Sequence, residues 1–115
     1  MNKLVYSPLV KEKMKKLRTM LVERFGEETS KRVLAGIMKD AEILIEHAHS
    51  GTNISDLYHI DTEYWYLFTH HQYLIYRIAP NLITIVQMFH EREDFMMKLF
   101  GISGRTQESY LFWGE

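Results

Sequence analysis

The chain has 115 residues, 46% apolar and 13% aromatic, with no cysteine and a formal net charge of −1. That composition fits one folded domain with a single core, and it excludes disulfides, thiolate metal sites and a disordered chain. No segment approaches the roughly 18 uncharged apolar residues that span a bilayer, and the N-terminal MNKLVYSPLVKEKMKK lacks a signal-peptide core, so a soluble cytoplasmic protein without membrane contact is expected.

Lys3 to Tyr6 reads as a short first strand. Ser7 followed by Pro8 is a helix start, with a hydroxyl at the N-cap and an imino acid at the first helical position. The helix that follows sets Val10, Met14, Leu17, Leu21 and Phe25 on one stripe, and Gly26 supplies its stop. A second helix is predicted from Glu27 or Glu28, whose charges suit the positive end of the helix dipole. Its buried stripe is Leu34, Ile37, Met38, Ala41, Leu44, Ile45 and Ala48, and Ser50-Gly51 ends it. The short connection at Gly26 makes the two helices an antiparallel hairpin. Residues 51–63 are polar and mixed, a loop or a turn of helix.

Three apolar segments follow, at about 64–69, 73–78 and 82–89, separated by His70-His71-Gln72 and Ala79-Pro80-Asn81. Turn-forming residues between β-prone runs predict a meander. Glu91 to Phe100 has helical spacing and stops at Gly101. In the tail, Tyr110, Leu111, Phe112 and Trp113 are too apolar for a free end, so residues 102–115 are expected to dock on the 1–101 domain or on a partner. Two helices cover one sheet face. On the last strand Ile83 and Ile85 alternate with Leu82, Val86 and Met88, so the second face is also apolar and is expected to lie open for a binding partner.

Charge is uneven. Residues 1–20 carry Lys3, Lys11, Lys13, Lys15, Lys16 and Arg18 against Glu12, whereas from Gly51 to Ile78 the only cation is Arg77. A sheet so poor in cations cannot displace phosphate counterions as a general nucleic-acid binder does. The histidine pairs His47/His49 and His70/His71 lack the i, i+4 ligand spacing, so neither a metal nor a cofactor is expected.

The strand–helix–helix–three-strand order, YLIYRI at 73–78 and IVQMFHERED at 85–94 together resemble the RelE/ParE superfamily of toxins from bacterial type II toxin–antitoxin systems. The resemblance covers residues 3–100. It implies an α+β fold of β-α-α-β-β-β order, with a helical hairpin packed on one face of a small, mostly antiparallel sheet. It also implies a growth-inhibiting, plasmid-stabilising toxin wrapped by a cognate antitoxin, touching DNA only through that antitoxin. Some members cleave mRNA on the ribosome; the ParE-like branch inhibits DNA gyrase without chemistry of its own.

Residue types choose between the branches. RNA cleavage through a 2′-hydroxyl needs a base, an acid and cations on the developing charge. Arg77, His90 and Arg92 are the candidates for those roles if the chain is a nuclease. Each has a plainer alternative: Arg77 in an ion pair with Asp94 or Glu91, His90 hydrogen-bonded to a backbone carbonyl, and Glu91 to Asp94 as a solvated helix start. Because the middle strands are poor in arginine, the ParE-like reading is preferred, with a ribosome-dependent endoribonuclease and an inactive interaction module as alternatives. An antitoxin is expected to contact Tyr66, Ile83, Ile85, Phe89 and Asp94.

Overall fold

The computed structural model describes residues 2–102. The expected docking of the tail and the role of Tyr110 to Trp113 therefore lie outside the described residues.

Strand β1 (Lys3–Tyr6) runs into helix α1 (Pro8–Phe25) through Ser7, whose hydroxyl accepts the Val10 N–H at 3.2 Å. Gly26, at φ 92°, takes a conformation that residues with a side chain avoid, and reverses the chain into α2 (Glu27–Ala41). The hairpin is stapled by the buried Ser30 hydroxyl donating to the Arg18 carbonyl at 3.4 Å. The second helix is shorter than its apolar stripe suggests. The Glu42 N–H is shared between the Met38 and Lys39 carbonyls, the ladder tightens, and a separate turn α3 (Ile43–Glu46) follows.

Residues 51–63, read as loop or a turn of helix, hold strand β2 (Thr52–Asn53) and helix α4 (Ile54–Tyr58), which Asn53 caps through the Asp56 N–H. The meander is β3 (Tyr64–Thr69), β4 (Gln72–Ala79) and β5 (Leu82–His90), within a residue of the expected bounds at each end. Helix α5 (Phe95–Phe100) begins four residues later than the spacing suggested, because the Asp94 side chain accepts the Met97 N–H at 3.1 Å and sets the start there.

The sheet order is β1-β5-β4-β3-β2, with β1 parallel to β5 and every other pair antiparallel. The α+β class, the helical hairpin on one face and the mostly antiparallel sheet are those expected, with β2 added as a fifth strand. Under the hairpin lies the main core: Val10, Ile37, Ala41 and Leu44 from the helices meet Leu74, Tyr76, Ile83, Ile85 and Met88 from the sheet. Each such side chain contributes about 1.5–3 kcal/mol of burial. Phe25 and Met38, placed on the buried stripes by spacing, are exposed at the hairpin's outer end and flank.

The second face is not open in the way the alternation implied. A β-bulge between the Ile75–Gln87 and Tyr76–Ile85 pairs leaves Val86 unmatched and shifts the parity of β5. Met88 consequently joins Ile83 and Ile85 under the hairpin, while Phe89 faces the other way. There Ile54, Ile75, Phe89, Phe95 and Met96 form a second core, so the chain's own α4 and α5 cover the middle of that face.

Tyr76 ties the main core to the 47–51 loop. Its hydroxyl donates to the Ala48 carbonyl at 2.9 Å and accepts the Gly51 N–H at 3.1 Å. Burial pushes its ionisation up to about 12, against a smaller opposing pull from the Gly51 hydrogen bond. Tyr76→Phe should lower the urea-unfolding free energy by about 1–3 kcal/mol, since both backbone partners lose their bond. The pH response has a definite sign. With the folded value raised above the ordinary 10.0, Tyr76's contribution is intact below pH 10 and is lost as pH rises towards 12. The parent should therefore lose stability more steeply than Tyr76→Phe across that window.

Candidate functional site

The exit of β5 gathers the polar chemistry singled out in the sequence. His90 closes the strand opposite Gln72, and Arg92 N–H donates to its Nδ1 at 3.1 Å, which leaves the ring proton on Nε2. His90 N–H donates to Glu93 Oε1 at 3.3 Å, and Glu93 N–H returns to the His90 carbonyl at 2.9 Å. Lys98 Nζ donates to Glu93 Oε2 at 2.8 Å. Partial burial pushes the Glu93 carboxyl up, but the Lys98 hydrogen bond, the His90 N–H and the charges of Lys98 and Lys13 outweigh it and hold the group below its usual range. Lys13 reaches over from α1 to donate to the Met88 carbonyl at 2.8 Å and lies 4.3 Å from the centroid of the Phe89 ring. Desolvation lowers its pKa, Glu93 opposes that, and the neighbouring Lys98 and Lys16 reinforce it.

A second set of contacts fixes the β3–β4 turn beside this exit. His70 and His71 have φ of 46° and 65°, positive at both central positions of a two-residue hairpin, as in a type I′ turn. Non-glycine residues resist that geometry, so contacts must hold it. Thr69 Oγ1 donates to Asp40 Oδ2 at 2.6 Å and lies 2.9 Å from His70 Nδ1, and His71 Nδ1 lies 2.9 Å from Glu91 Oε1. The His70 ring packs on Gly36 of α2 so closely that an added Cβ there would sit 2.6 Å from it.

The three residues proposed for a nuclease do not converge. Arg77 is opposite Tyr64 and Thr84, five positions along β4 from Gln72 and therefore on the other sheet face from His90. Five strand steps separate them by roughly 17 Å. Arg77 is exposed and makes no ion pair among the described residues, so the expected pairing with Asp94 or Glu91 does not form. His90 and Arg92 do lie together, joined through the backbone contact above.

The expected partner-contact residues also separate. Ile83 and Ile85 have no exposed surface; they sit under the hairpin and cannot meet a partner. Phe89 is buried beneath Phe95 and Lys13. The Asp94 carboxylate caps α5. Tyr66 does lie on the second face, its ring 5.3 Å from Tyr73 and 5.5 Å from Phe95. Sequence reasoning missed three exposed apolar residues: Phe68, two positions along β3 from Tyr66, Leu57 on α4 and Met97 on α5. The alternation of YWYLFT could have identified Phe68, because Tyr64, Tyr66 and Phe68 share one face. Among the described residues no group of three metal-binding side chains comes together, and no helix is long and apolar enough to cross a membrane.

No family model matches the sequence, and neither does any curated protein. Among solved structures, a chain from "Chromosomal ParDE TA system from P. aeruginosa" superposes with a TM-score of 0.67 at 14% identity, covering 78% of this chain and 96% of that one. The fold is RelE/ParE-like. At that identity the likeness speaks for architecture alone, and the RelE/ParE-like fold is the one the residues of the meander and the hairpin had implied.

Arg77 is exposed and has no ion pair among the described residues, so little stability is expected to rest on it. Arg77→Ala should unfold in urea within about 0.5 kcal/mol of the parent. A loss above 2 kcal/mol would mean that Arg77 holds the sheet together.

Proposed function

We propose that the chain is a ParE-like toxin of a type II toxin–antitoxin pair, acting in the cytoplasm by binding an essential protein such as DNA gyrase and neutralised by a cognate antitoxin. The observation that supports this most is agreement in fold, over nearly the whole of the matched chain, with a component of a ParDE system. The separation of Arg77 from His90 and Arg92 argues in the same direction, because one phosphodiester cannot be clamped and protonated from two faces of a sheet. A toxin that works by binding needs no such cluster.

The antitoxin's footprint is best assigned to the second face of the sheet, where the exposed Phe68 lies against Tyr73 and Tyr73 against Tyr66. Apolar side chains grouped this way suit the apolar stripe of an amphipathic helix. Residues 1–101 would carry the toxin activity.

Expression in a bacterial host without the neighbouring antitoxin gene should arrest growth, relax supercoiling and leave broken DNA. Arrest with codon-proximal mRNA cuts that vanish in Arg77→Ala or His90→Ala would overturn the ParE-like reading in favour of a ribonuclease. Continued growth with soluble protein present would favour an inactive interaction module. In the purified pair, Phe68→Asp should weaken antitoxin binding by about tenfold or more while the melting temperature holds. An unchanged Kd would place the footprint elsewhere.

A further inference from the structure

Strand β5 outruns its neighbour β1. The parallel pairing ends at Tyr6 opposite Ile85, with one last bond from Ser7 N–H to the Ile85 carbonyl at 2.9 Å. Pro8 has no N–H to extend the ladder, and the chain turns into α1. β5 continues to His90. Beyond the bulge Gln87 and Phe89 pair with Ile75 and Tyr73, while the alternation of an antiparallel ladder turns the outer backbone groups of Met88 and His90 away from the sheet.

Side chains meet these groups in place of a strand. Ser7 Oγ donates to the Val86 carbonyl at 3.3 Å, Lys13 Nζ to the Met88 carbonyl at 2.8 Å, and Gln87 Oε1 accepts the Met88 N–H at 3.1 Å. Glu93 Oε1 accepts the His90 N–H at 3.3 Å. Caps of this kind blunt an exposed edge against casual pairing, yet those on Met88 and on the His90 N–H are side chains that another backbone can replace, while the His90 carbonyl stays with the Glu93 N–H. The carboxylates that follow the edge are engaged, Glu91 with His71, Glu93 with Lys98 and Asp94 at the start of α5. Lys13, Lys16 and Lys98 stand near one another, with Glu93 as the opposing carboxylate.

We propose that the β5 edge from Val86 to His90 is a strand-addition site for an extended acidic segment of a partner polypeptide. The incoming backbone takes over the bonds now made by Lys13, Gln87 and Glu93, and its carboxylates meet the released lysines. The site continues the sheet in the place where β1 stops. It rests on the edge geometry and on charge, and it holds whether or not the chain is a toxin.

The test uses the full-length chain, labelled with ¹⁵N, and a blocked hexapeptide alternating glutamate and valine. The Met88 and His90 amides should shift and exchange more slowly as the peptide is added. Two further peptides, N-methylated at every valine or at every glutamate, separate pairing from charge. One should bind like the parent peptide, its methyl groups facing solvent, and the other should lose about tenfold or more, because a strand donates from alternate residues. Lys16→Glu, which leaves the caps in place, should weaken the acidic peptide roughly three- to fivefold. Equal binding by both methylated peptides would reduce the site to charge attraction and overturn the proposal. Unmoved Met88 and His90 amides would overturn it as well, with the caps then serving only to protect the edge. Tighter binding of oligothymidylate than of the peptide at the same amides would make the edge a nucleic-acid surface instead.

Discussion

The parallel ladder between β1 and β5 is the constraint on which the rest of the molecule depends. It draws the first strand of the chain against the last, in a register that pairs Lys3 with Leu82 and Tyr6 with Ile85. With β1 held there, α1 must leave from the sheet edge at Ser7 and fold back across β5, bringing Val10 over Ile83 and Ile85. The second helix then has one place to lie, beside the first, where Ile37 and Ala41 complete the cover. Without the ladder, two amphipathic helices and a meander would share no common core.

The bulge at Val86 is the second decision in the fold, and it governs what the exit of β5 can do. By inserting one residue it hands Met88 to the hairpin side and Phe89 to the far side, where Phe95 closes over it. It also turns the outer backbone groups of Met88 towards Lys13 and Gln87. Bulges recur beside functional surfaces because they re-aim a strand without breaking its sheet. Here the re-aimed segment leads directly into the turn where Glu91, Glu93 and Asp94 hold His71, Lys98 and α5.

Much of this architecture is written locally. Ser7-Pro8 and Gly26 mark the first helix because capping and chain reversal are short-range chemistry. The strand bounds of the meander follow from β-prone runs broken by turn residues. Faces were harder to assign. Alternation put Ile83 and Ile85 where a partner could reach them, because no local pattern says which face the hairpin covers, and the inserted residue, which carries no signature in sequence, then brings Met88 to that same face. The hairpin turn at His70-His71 has no glycine to advertise it. Its backbone is held by Asp40 and Gly36, residues some thirty positions away that no local pattern links to it. Arg77 and His90 looked like neighbours because both flank apolar strands, whereas register and parity put them on opposite faces. The coverage of the second face by α4 went unread because residues 51–63 are too polar and short to announce a packing element.

The long reach of the β1–β5 pairing also bears on how the protein is made. Ser7 and Val86 are 79 residues apart, yet their contact is among those that close the sheet. Synthesis proceeds from the N-terminus, so the first strand emerges long before its partner exists. The helical hairpin can form early from nearby contacts, but its apolar face has no sheet to cover until the final strand leaves the ribosome. Whatever depends on the closed sheet therefore waits until β5 has been synthesised.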